Sequence, residues 1–274
     1  MSAPQNPLEN FPPPESFYAA PQASPPGPAS RPPVEDPPFT GWDVLLLVGV
    51  TIGAMFIVGI GVVVAAHLIV LKSTPVADLA RNTELVLVSQ LLTYFVVFAA
   101  MFVVVENRAG AFWLPLQWNW PRNAFAFIVG GSVVYFVLIA IAQVLPIPKH
   151  LPIDRFFGNS REAFIMSVFA VTAAPLMEEL FFRGFLYPVL ARRLGVIFSI
   201  VLTSAAFAVL HGAQLKYSWA VLIIFLVGVA LTTVRAVTKS VAASFLLHVG
   251  YNGTLSLLLF IATGGFRHLE KLNQ

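Results

Sequence analysis

From Val44 to Leu71 the chain runs for 28 residues without a lysine, arginine, aspartate or glutamate. About 20 mostly apolar residues are enough to cross the hydrocarbon core of a bilayer as a helix. In that medium backbone polar groups must be satisfied within the protein, which leaves helices and closed barrels as spanning structures. Leu85–Val105 and Ala124–Leu145 are further runs of this kind. Ala163–Leu190 is equally long but carries Glu178, Glu179 and Arg183. Val196–His211, Tyr217–Val234 and Ser240–Thr263 complete the series. The predicted fold is all-α, a polytopic transmembrane helix bundle of about seven spans.

Composition narrows the function classes. Charged residues make up 11% of the 274, against about 25% in soluble domains. The 58% hydrophobic share excludes a soluble globular enzyme. With no cysteine, a disulfide-stapled secreted domain is excluded as well. A net charge of +3, scattered along the chain, predicts no nucleic-acid partner. The expected environment is the lipid bilayer, and short loops with no organelle signal point to a bacterial inner (plasma) membrane.

Thirteen of the 21 prolines fall in residues 1–42. Proline interrupts helix, and this stretch offers little apolar surface to offset its ordering entropy. Residues 1–42 are therefore expected to form a proline-rich disordered tail, partly polyproline II. Residues 43–266 would form the transmembrane domain, with its functional core at about 163–255, and residues 267–274 a short polar C-terminal tail.

An ionisable side chain at mid-membrane costs roughly 2.5–3.5 kcal/mol on insertion scales, so such residues are functional candidates. Three clusters qualify. In the first, Arg183 follows Glu179 by four residues, so the two share a helical face and can pair. At about 100° per residue, Glu178 lies roughly 140° round from Arg183 and points elsewhere. A carboxylate left without its own countercharge in a low-dielectric place is a plausible general base. The bland alternative is a single stabilising network at a helix end. Pro175 is expected to kink the helix just before the pair.

In the second cluster Phe207 and His211 stand one turn apart, and a histidine at a helix end is also an ordinary interfacial residue. In the third, His248 and Asn252 are spaced by four and project from one face of the last span. Two neutral donors there could bind a developing oxyanion, or could simply hydrogen-bond between helices. His67 has no polar neighbour at helical spacing and is expected to be structural.

Taken in order, Glu178-Glu179-x-x-x-Arg183, Phe207-x-x-x-His211 and His248-x-x-x-Asn252 resemble the CAAX protease and bacteriocin-processing family, with its Rce1-type glutamate intramembrane proteases. The stretch from Ala174-Pro175 to Leu186 is similar to the family's first signature, and the resemblance spans roughly residues 163–255. One departure is Lys239, where a glycine would be expected before Ser240. The resemblance implies an endopeptidase in which Glu178 activates a water that His211 helps to hold. His248 and Asn252 would stabilise the oxyanion, while Glu179 and Arg183 support the site. It implies a peptide or lipidated-protein substrate and no cofactor. Eukaryotic members cut the last three residues from prenylated proteins. Bacterial ones are linked to bacteriocin maturation, self-immunity or regulation of membrane proteins.

Two other readings fit the same residues. Glu178, His211 and His248 could be a catalytic zinc set, although no His-Glu-x-x-His motif is present and Asn252 would then lack a direct role. The polar cluster could also serve a transporter or an immunity protein without catalysis.

Overall fold

The computed structural model describes residues 1, 35–70 and 72–270, and the described residues from 35 to 270 fall in one unit. Every regular element among the described residues is helical. The chain runs α1 (Gly41–Ala65, extended by a π turn Ala66–Val70), α2 (Val76–Leu79), α3 (Thr83–Ala109), α4 (Ala124–Ala142), α5 (Ser160–Val171), α6 (Ala173–Glu179), a π segment (Leu180–Leu186), α7 (Tyr187–Leu194), α8 (Val196–His211), α9 (Ala220–Thr238) and α10 (Val241–Ala262). The all-α bundle predicted from the apolar runs is thus the observed fold. Six helical stretches among the described residues are long and apolar enough to cross a membrane. The seventh expected span, α8, is apolar but has only 16 residues.

Most of the proline-rich segment, residues 2–34, lies outside the described residues. Its last residues lead into α1 at a cap built by Asp43, whose carboxylate accepts from the backbone N–H and hydroxyl of Thr40 at 2.7 and 2.9 Å. The outer face of α1 carries exposed Leu45, Ile52, Phe56, Ile57 and Ile60. A contiguous exposed apolar face on a helix of this length suits a lipid environment.

The stretch from Ser160 to Leu194 is not one straight helix. The break falls at Thr172 (φ −119°, ψ −77°), upstream of the kink expected just before the glutamate pair. The position follows from Pro175: its ring opposes the carbonyl four residues back, at Val171, and offers it no N–H. Beyond the break, α6 runs straight into the π segment Leu180–Leu186, which ends just before Pro188. A π turn widens the helix and shifts the phase of the side chains that follow.

Two apolar clusters pack the bundle. One gathers Phe39, Leu47, Met101 and Leu116 with Met177, Leu180 and Phe185 of this broken helix; the other gathers Tyr135, Leu138, Val227, Leu231, Leu247 and Tyr251 of α4, α9 and α10. Beyond α4, the 3-10 turn Pro152–Phe157 packs on the 3-10 turn Ala213–Leu215, directly after His211.

At the turn between α9 and α10, Lys239 has φ +53°, the left-handed region where glycine is at ease. The glycine expected at this position thus has a backbone reason, and the lysine bears the strain. Ser240 follows as the cap of α10, accepting from the Ala243 N–H at 3.0 Å and donating to the Asn119 carbonyl.

The most extensive helix pair is α4 with α10. Glycine on both sides permits it: a Cβ at Gly250 would collide with the Ile128 carbonyl, and one at Gly131 with that of Leu247. Close approach through small residues is how membrane helices gain van der Waals contact where lipid removes the hydrophobic drive. Gly250→Ala is therefore expected to destabilise the bundle by about 1–3 kcal/mol, the range for overpacking. Gly59→Ala on α1, with no atom within 4 Å of the new methyl, should be silent. Thermal unfolding of both variants in one detergent checks this.

Candidate active site

Glu178 and Glu179 are consecutive, and the helix turn sends them to different surroundings. Glu179 is fully buried. Its Oε1 accepts from Arg183 Nη1 at 2.8 Å and from His248 Nδ1 at 2.9 Å, while its Oε2 accepts from the Ser244 hydroxyl at 2.5 Å. The guanidinium of Arg183, also fully buried, donates on through Nε to Thr232 Oγ1 (3.3 Å) and through Nη2 to the Gly228 carbonyl (3.2 Å). It lies over the Phe207 ring at 4.6 Å, a cation–π contact. This network joins the broken helix to α9 and α10 and lays the Phe207 ring of α8 against it.

Glu178 points the other way, into a partly open position with its side chain 18% exposed. Its two carboxylate oxygens face imidazoles from two other helices. Oε1 is 3.8 Å from His211 Nε2, and Oε2 is 3.8 Å from His248 Nε2. These separations exceed a direct hydrogen bond, and polar groups so spaced are commonly bridged by water.

The other nitrogen of each ring sets its role. His211 Nδ1 donates to the Phe207 carbonyl at 2.9 Å, and a carbonyl can only accept. His248 Nδ1 donates to the Glu179 carboxylate. Both rings therefore carry hydrogen on Nδ1 and turn Nε2 toward Glu178. In a neutral ring that Nε2 is an acceptor; it donates only as imidazolium.

Asn252 lies one turn beyond His248 on α10. Its Nδ2 donates to the Ala170 carbonyl at 2.7 Å, near the end of α5, just before the break at Thr172. Glu178, His211 and His248 thus converge, Glu179 and Arg183 stand behind them, and Asn252 ties α10 to α5 beside them. His67 lies apart, donating from Nδ1 to the Thr74 carbonyl at 3.2 Å.

Two members of the network, Ser244 and Thr232, are not among the residues expected from the sequence. Ser244 precedes His248 by four residues, so the Ser244–His248–Asn252 stripe is legible as one face of α10. Thr232 follows Gly228 by four on α9, a spacing with no chemistry until Arg183 is brought against it. The ring of Tyr94 of α3 stacks on that of Phe169 of α5 at 5.8 Å. Among the described residues no group of three or more histidine, cysteine, aspartate or glutamate side chains is disposed to hold a metal ion.

The family described as Type II CAAX prenyl endopeptidase Rce1-like matches residues 160–254, from the start of α5 into α10. No curated protein and no solved structure matches the chain significantly. The matched stretch contains Glu178, Glu179, Arg183, His211, His248 and Asn252, and the apolar helices and this match together define an integral membrane protein. The matched family is one of peptidases, and it is the one that the three ordered motifs resemble.

Removing one partner of a buried, hydrogen-bonded ion pair typically costs about 3–5 kcal/mol. Arg183→Ala is accordingly expected to reduce folded yield and thermal stability steeply. Arg161→Ala, in the exposed 3.2 Å pair with Glu84, should change neither. Size-exclusion yield and melting temperature in detergent measure both; equal values for the two variants would contradict the buried-network reading.

Proposed function

We propose that the protein is an intramembrane endopeptidase in which Glu178 activates a water for attack on a peptide carbonyl. The observation that carries this reading is the Glu178 carboxylate facing two Nε2 atoms, each at 3.8 Å, from helices distant in sequence. Water, a base and hydrogen-bond donors must meet in one place for peptide hydrolysis, and a carboxylate facing two imidazoles beyond direct hydrogen-bond distance supports that reading.

In the proposed step, a water between Glu178 and His211 gives a proton to the Glu178 carboxylate as its oxygen bonds to the carbonyl carbon. His211 Nε2, held as an acceptor by the Nδ1 contact to Phe207, orients the second hydrogen of that water. Negative charge passes to the carbonyl oxygen, which His248 and Asn252 would stabilise by donating hydrogen bonds. Because Glu179 holds His248 Nδ1, this donation uses the imidazolium form. Collapse of the tetrahedral species breaks the C–N bond, and Glu178 returns its proton to the leaving amine. Glu179 and Arg183 take no proton: they hold His248 in one orientation.

The substrate we propose is a lipidated or membrane-inserted peptide, since the outer helical faces suit lipid. A bacterial inner membrane is the proposed location, and processing of CAAX-type or bacteriocin-type peptides, or a related immunity role, the proposed context.

General acid–base groups contribute typically about 10²–10⁴-fold to rate. With a fluorogenic prenylated peptide, Glu178→Ala and His211→Ala are each expected to lose roughly 10²-fold or more in kcat/KM while remaining folded. Near-wild-type cleavage by either would remove its assigned role. The alternative reading, in which Glu178, His211 and His248 hold a zinc ion, is separated by chelation. Activity lost to a strong chelator and restored by zinc would favour that reading, and full activity in the chelator would favour the glutamate–water one. A non-catalytic transporter or immunity protein would instead lose transport or protection in Glu178→Gln and never release a cleaved product.

A further inference from the structure

Ahead of α1, residues 35–39 have no regular structure of their own, yet they are gripped by the bundle. The Glu35 side chain is 2% exposed. Its Oε1 accepts from Arg235 Nη1 at 3.1 Å and from Lys239 Nζ at 2.8 Å, and its Oε2 from Gln117 Nε2 at 3.3 Å. Arg192 holds the next residues, donating to the carbonyls of Pro37 (2.9 Å) and Phe39 (3.2 Å). Phe39 is fully buried, its ring stacked on Phe185 at 4.1 Å and 10°.

The residues that grip this segment adjoin the acid–imidazole site. Phe185 lies in the π segment two residues after Arg183. Tyr187, at the start of α7, has the Arg235 guanidinium over its ring at 5.4 Å. Arg235 is three residues beyond Thr232, which accepts from Arg183. Around Glu35, Gln117 Oε1, Tyr187 OH and Arg235 Nε are buried without partners among the described residues. Arg235 is 1% exposed, and a guanidinium so placed needs a fixed anion nearby. A segment without hydrogen bonds of its own stays ordered only where docking outweighs its conformational entropy.

We propose that Arg235, Lys239 and Gln117 form a carboxylate-binding socket filled from within the chain by Glu35, and that residues 35–39, seated there, are a strap that positions the π segment carrying Arg183. In this view Glu35 and Phe39 are positioning residues. The socket stands independently of the proposed peptidase chemistry; only the effect on turnover rests on that reading.

The chain has no cysteine, so Phe39→Cys installs a single reporter in the full-length protein. In detergent, a water-soluble maleimide should label the F39C protein slowly. Adding Glu35→Gln should raise the rate about tenfold or more, as expected if the strap opens locally. Adding Arg161→Ala, in the exposed pair with Glu84 away from the strap, should leave it unchanged. On the cysteine-free background, Glu35→Gln should speed amide hydrogen exchange in residues 180–194 and leave that of α4 unaltered. With the peptide substrate it should lower kcat about tenfold at constant KM, since a small misplacement of catalytic groups has effects of this order, and Glu35→Asp should restore part of the loss. Equal labelling of F39C with and without Glu35→Gln overturns the socket. Faster labelling with unchanged exchange in 180–194 overturns the positioning role. Absence of cleavage by the wild type counts against the proposed function alone, because labelling and exchange decide the strap without it.

Discussion

The buried contact between Glu179 and Arg183 organises the second half of this protein. Two charges at 2.8 Å with no exposure are stable only if every remaining donor and lone pair is satisfied. That demand recruits Ser244 and His248 from α10 and Thr232 and the Gly228 carbonyl from α9, with the Phe207 ring from α8 beneath the guanidinium. The partners come from three different helices, so the pair acts as a registry point: a slip of any one helix by a turn would leave a buried charge uncompensated.

That registry also gives the two glutamates different surroundings. Two adjacent glutamates on a helix cannot share one environment, because successive side chains diverge by about 100°. Here one serves structure, and the other is delivered, partly open, to two imidazoles. The same contact that anchors Glu179 fixes His248 through Nδ1 and so decides what its Nε2 can do. A single residue thus joins the stability of the bundle to the geometry around Glu178.

Much of the helical architecture is legible in the apolar runs, because in a bilayer length and hydropathy leave the backbone little choice. The pairing of Glu179 with Arg183 is equally legible, since a spacing of four brings side chains together on any helix. Less visible is the break at Thr172, displaced from Pro175 because the steric conflict is with the carbonyl four residues back. The left-handed backbone at Lys239 gives a reason for the glycine expected there. The burial of Glu35 against α9 has no sequence signal, since a proline-rich stretch carries no periodicity that would announce a docking partner 200 residues away.

What the amino-acid order settled alone is local: which stretches are helical and apolar, which face each polar side chain takes, and which acid finds a base one turn on. Those follow from helical geometry and from the energy of exposing peptide groups to lipid, and both act within a few residues. What the packed bundle decided is long-range: that His211 and His248 meet the same carboxylate at matched distances, that Ser244 and Thr232 close a network, and that Asn252 reaches the carbonyl of Ala170. No helical periodicity encodes these, because they depend on how α5, α8, α9 and α10 cross. The crossings are set by glycine contacts, a proline-induced break and a buried charge whose partners lie up to 69 residues apart.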